Sequence, residues 1–107
     1  MKTLSLKVDL STLNISDEDK QKNGAEVATN IIKNVIYSYA TQNKGFTEDE
    51  RRIYYKICDA FDVVIKDKKE EVILDDSYIV FIKKVFKETR LIPNDLLRKI
   101  EELIAIV

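Results

Sequence analysis

Seven residues near the start of the chain, "LSLKVDL" from Leu4 to Leu10, alternate apolar Leu4, Leu6, Val8 and Leu10 with polar Ser5, Lys7 and Asp9. A period of two belongs to a strand with one dry and one wet face. A strand cannot satisfy its own backbone N–H and C=O groups, so the chain has to return with a second one. The stretch that suits is "VIL", Val72 to Leu74, set between charges in "KKEEVILDDS" and too short for a helix. What lies between and after these two segments carries helical spacing.

From Ser16 to Gly24 no residue is apolar, which predicts a solvated connection or a frayed helical turn. From Ala25 to about Gln42, residues Ala28, Ile31, Ile32, Val35, Ile36 and Tyr39 fall on one helical face. Gly45 suits the left-handed position past that helix, and Thr47 with Glu50 forms a capping box for a second one. The second helix runs to about Lys66 and presents Ile53, Tyr54, Ile57, Cys58, Phe61, Val64 and Ile65 to the core. Asp75 or Asp76 caps a third helix with Tyr78, Phe81, Ile82, Val85 and Phe86 inside, ending near Arg90. A fourth starts with Pro93 in its first turn or Asn94 as its cap, and buries Leu96, Leu97, Ile100, Leu103, Ile104 and Val107.

The expected fold is therefore α+β and mostly helical, in the order β-α-α-β-α-α, with four helices packed on a small two-stranded sheet. One domain spans residues 1–107, and the repeated order of 1–66 and 67–107 has the pattern of an internal duplication. A chain of 107 residues with 45% hydrophobic side chains, two glycines and one proline is large enough to bury a core without disulfides or metals.

Composition narrows the chemistry. Histidine is absent, which removes the commonest general base, the commonest metal ligand and the usual partner of a serine or cysteine nucleophile. A formal charge of -1 gives no long-range field toward nucleic acid or an anionic membrane. The single cysteine, Cys58, has no internal partner, and no signal peptide or long apolar run is evident, so a cytoplasmic, reducing location is expected.

Each remaining candidate site competes with a structural role. Asp75 and Asp76 could join a Mg²⁺ site of a phosphoryl enzyme, but no phosphate loop accompanies them, and capping explains them alone. An EF-hand starting at Asp19, with Gln21, Asn23 and Gly24 in place, fails at Asn30, where a bidentate glutamate belongs. Cys58 is read as a core residue, and Asp59 and Asp62 as a solvated charged face. Lys83, Lys87 and Arg90 form a stripe opposite the buried face of the third helix, and with Lys84 they make the best basic patch for nucleic acid. Tyr37, Tyr55, Val63 and Val80 point away from the inner stripes of their helices, as protein-interface residues do.

In "ERRIYYKICDAFDVVIKDKKEEVILDDSYIVFIKKVF" together with "NDLLRKIEELI", the chain resembles in layout many small proteins encoded by tailed bacteriophages. Shared are the leading strand, the lysine-rich turn, an acidic cap into an apolar helix and a leucine-rich end. The resemblance implies a virion assembly factor or a host-interaction protein and carries over no site residue. The expected function is a non-enzymatic protein-protein interaction module without cofactor or membrane, its partner another protein or a second copy forming a homodimer. A nucleic-acid-binding accessory is the alternative.

Overall fold

The computed structural model describes residues 1–107. Strand β1 (Lys2–Ser5) leads through a 3-10 turn (Leu10–Thr12) and the single-turn helix α1 (Asp17–Lys20) into the long helices α2 (Gly24–Gln42) and α3 (Glu48–Lys66). Strand β2 (Glu71–Leu74), α4 (Asp76–Glu88) and α5 (Asp95–Ala105) complete the chain. The order of strands and long helices is β-α-α-β-α-α, as the sequence predicts; α1 is the frayed turn expected after Ser16 and buries nothing.

β1 and β2 are antiparallel, with Lys2 opposite Leu74, Thr3 opposite Ile73, Leu4 opposite Val72 and Ser5 opposite Glu71. Leu4, Val72 and Leu74 are buried while Thr3, Glu71 and Ile73 are exposed, so the sheet has one dry face. Against the sheet, α5 packs on β1 and α3 on β2, and α2 and α4 pack together behind them. Phe61, Ile36, Ile57, Ile82 and Ile100 are almost wholly inaccessible at the centre, and burying each stabilises the fold by about 1.5–3 kcal/mol.

The first strand is shorter than the alternation from Leu4 to Leu10 suggests and begins earlier, at Lys2. Leu6 adds one more bond, its amide donating to the Glu70 carbonyl at 2.8 Å, but the partner strand then ends in a turn at Lys68 with φ 54°. With no strand left to pair with, the chain turns where the Asp9 carboxylate accepts from the Ser11 amide at 3.0 Å. Leu6 and Leu10 stay buried regardless. The alternation therefore records which side chains face the core, beyond the point where the ladder stops.

Helix ends follow the capping signals. Thr47 and Glu50 form the expected reciprocal capping box, and Asn94, not Pro93, caps α5 by accepting from the Leu97 amide at 2.8 Å. At the end of α2 the Gly45 amide reaches the Ala40 carbonyl and the Lys44 amide the Thr41 carbonyl, the two bonds of a Schellman turn. Gly45 has the positive φ expected of it, 111°, and is preceded by a second left-handed residue, Lys44, with φ 61°. The end of α3 repeats the arrangement, with Lys69 bonded to Val64, Lys68 bonded to Ile65 and Lys68 left-handed.

Two contacts lock the helices together. The Tyr39 hydroxyl donates to Glu50 Oε2 at 2.8 Å, joining the end of α2 to the start of α3. The Gln42 side-chain amide pairs with the Arg90 backbone in both directions at 3.0 Å, joining α2 to the α4–α5 connection.

Candidate functional site

The acidic candidates are occupied by structural work. Asp75 is the N-cap of α4, where hydrogen bonds from the Ser77 hydroxyl and amide hold its carboxyl below the usual range. Asp76, in the first turn, lies 3.1 Å from the amino group of Met1. Asp19 pairs with Lys22 at 2.8 Å, and Asn23 caps α2 by accepting from the Glu26 amide. No three carboxylate or thiol groups stand close enough together to hold a metal ion. A cleft of about 470 Å³ opens beside the 3-10 turn between Leu10, Ile15, Val27 and Leu96, with Asp19, already paired with Lys22, and Glu26 among its lining.

Cys58 is half-buried, less enclosed than its place on an apolar stripe suggests, and lies beside Tyr54, which packs against the core. Burial, reinforced by the neighbouring Cys58 thiol, pushes the Tyr54 phenol up to about 12. Tyr54 in turn stacks at 5.3 Å on Phe46 and lies 6.3 Å from the Tyr55 ring. Asp59 and Asp62 are exposed, as expected of a solvated face.

The basic stripe is not uniform. Lys83 is half-buried and donates to the Val107 carbonyl at 2.5 Å, tying α4 to the end of the chain. It therefore does not lie opposite the buried face of its helix. The placement follows from the packing of α5 against α4, which no feature of the sequence around Lys83 reveals. Lys84 sits 5.9 Å above the Tyr39 ring, within range of a cation–π contact. Lys87 and Arg90 are exposed.

The outward apolar residues are where the sequence places them: Tyr37, Tyr55, Val63 and Val80 are all exposed. Tyr37 on α2 and Tyr55 on α3 both lie close enough to Tyr54 to act on its phenol, Val80 is on α4, and Val63 meets a further outward residue. Ile73, the middle residue of β2, is 62% exposed and lines with Val63 and Ala60 a groove of about 310 Å³ between α3 and β2, with Lys69 and Glu71 at its rim. The signal for Ile73 was available: if Val72 and Leu74 face the core, a period of two turns the residue between them outward. Ile92 and Ile106 are also exposed, in the α4–α5 connection and just past the end of α5.

The groove runs beside a bare sheet edge. The Leu6–Glu70 bond fixes the phase of the ladder, so Leu4 with Val72 and Lys2 with Leu74 exchange its hydrogen bonds. Thr3, Ser5, Glu71 and Ile73 then direct their N–H and C=O groups away from the partner strand, and no other backbone or side-chain group bonds to them. Beside β1 the exposed groups are polar, Thr3 and Lys7. Beside β2 they include Ile73 and Val63. No family model, curated protein or solved structure matches this chain.

Proposed function

We propose that this chain is a non-enzymatic protein-protein interaction module. The observation that carries the reading is the β2 flank, where an apolar groove between Val63 and Ile73 lies beside backbone groups without partners. Main-chain bonds supply affinity at such an edge, and pockets for alternate side chains supply selectivity. The layout shared with small tailed-phage proteins supports the same reading, in the form of an assembly or host-interaction factor. The nucleic-acid alternative loses support from Lys83 and Lys84, whose ammonium groups are engaged within the chain, leaving Lys87 and Arg90 free.

The test is affinity capture from nuclease-treated lysate of the source cells, with wild-type bait beside Val63→Glu bait and a Lys87→Glu, Arg90→Glu bait. The expected result is a protein, an untagged copy of the chain included, that is retained after nuclease and by the charge-reversed bait but lost with Val63→Glu. Retention that vanishes with nuclease and with the loss of Lys87 and Arg90 would overturn it in favour of nucleic acid.

A further inference from the structure

We propose that the occupant of the β2 edge is β2 of a second copy, paired antiparallel across a two-fold axis centred on Val72, so that two two-stranded sheets become one of four strands. This rests on the interaction-module reading and names its partner.

The register follows from charge. Since only Glu71 and Ile73 present outward backbone groups on this edge, a two-fold antiparallel pairing has three ways to match them. Centred on Glu71, it sets Glu71 directly opposite its own copy. Centred on Ile73, it sets Glu71 opposite Asp75. Like charges facing each other across a ladder are destabilising. Centred on Val72, Glu71 faces Ile73 and Ile73 faces Glu71, which lets the four outward N–H and four C=O groups of the two strands close four hydrogen bonds. The same register brings Lys69 opposite Asp75 at both ends. "KKEEVILDD" is thus complementary to itself when reversed, with lysines before the strand and aspartates after it.

Lys69 and Asp75 are both exposed, Lys69 at the rim of the groove and Asp75 just past the end of β2. Because α3 packs mainly on β2, pairing at β2 also brings the two α3 flanks side by side. Ala60 and Val63 of each copy then extend the apolar contact beneath the joined sheet. The β1 edge offers no comparable apolar feature, its exposed residues being Lys2, Thr3 and Lys7. A symmetric pairing closes on itself and does not propagate into fibres, because the remaining free edges are those polar ones.

One strand edge and one pair of helix flanks make a small interface, of the kind that forms reversible dimers. The experiment is sedimentation velocity on the full chain up to about 1 mM, together with amide hydrogen exchange at low and high concentration. The expected result is a mass rising from 12.4 kDa toward twice that value, with Glu71 and Ile73 amides gaining protection as it rises. Ile73→Pro is the deciding variant. Its missing N–H points away from β1, so the intramolecular ladder is intact and thermal unfolding stays cooperative, while two of the four intermolecular bonds are lost and the dimer falls apart. Lys69→Glu should weaken the dimer at least tenfold.

A wild-type monomer at the highest concentration overturns the second copy as occupant and leaves the interaction-module reading to the capture experiment. A dimer that survives Ile73→Pro in a folded chain, or that forms without protecting Glu71 and Ile73, overturns the edge.

Discussion

Replacing Gly24 with alanine should destabilise this protein, although alanine is the better helix former. Gly24 is the first residue of α2, and a Cβ built on it lies 2.3 Å from the Val8 carbonyl oxygen and 3.3 Å from its carbon. An ordinary carbon–oxygen contact is about 3.3–3.6 Å, so the segment after β1 and the start of α2 would have to separate by about 1 Å. The obstacle is backbone, which has no rotamer to change. Overpacking of this kind costs about 1–3 kcal/mol, and the gain in helix propensity offsets at most about 1 kcal/mol. A net loss of about 1–2 kcal/mol corresponds to a fall in Tm of about 5–15 °C for a domain this size. Urea and thermal unfolding followed by far-UV circular dichroism measure it directly. A Gly24→Ala protein as stable as the wild type, or more so, would show that Val8 does not approach α2 in this way.

Lys68→Gly should act in the opposite direction: the left-handed backbone costs a side chain about 1 kcal/mol or more, part of which glycine returns through its freer unfolded state, so a rise of about 0.5–1 kcal/mol in unfolding free energy is expected. Tyr39→Phe should cost about 1 kcal/mol at neutral pH, the worth of a partly exposed hydrogen bond to a carboxylate. Bonds from the Thr47 backbone, then Tyr39, hold Glu50 below its usual pKa, so this stability is present above the unfolded pKa of Glu50 and is lost as pH falls through the folded one; equal Tyr39→Phe deficits at neutral pH and at about pH 3 would refute the linkage. Asp75→Asn should be nearly neutral in thermal unfolding and Asp75→Ala clearly lower, since asparagine also caps and alanine does not; equal melting of all three would remove Asp75 from its capping role.

The helices were legible because their apolar stripes are long and their caps use ordinary residue types. Thr47, Glu50 and Asn94 do locally what their spacing implies. Lys44 and Lys68 were not legible as left-handed residues, because lysine carries no preference for that region and only the two closing hydrogen bonds select it. The extent of β1 is hidden for a different reason: burial of Leu6 and Leu10 keeps the period of two going after the partner strand has ended. Of the candidate surface, the outward apolar residues on helices could be read, and Ile73 could have been. Its meeting with Val63, and the tethering of Lys83 to Val107, depend on how α3, β2 and α5 pack, which local spacing does not encode.

The register that joins Lys2 to Leu74 has a kinetic consequence. During synthesis β1 leaves the ribosome first yet has no strand to bind until β2 has followed, by which time α2 and α3 can already have formed through local contacts. Ordering so long a loop comes late in folding, so substitutions at Leu4 or Leu6 should accelerate unfolding and leave the folding rate nearly unchanged. In the interval β2 has two open edges instead of one. Docking of β1 is then what covers one side of β2, leaving each sheet with one edge flanked by apolar groups and one flanked by polar ones.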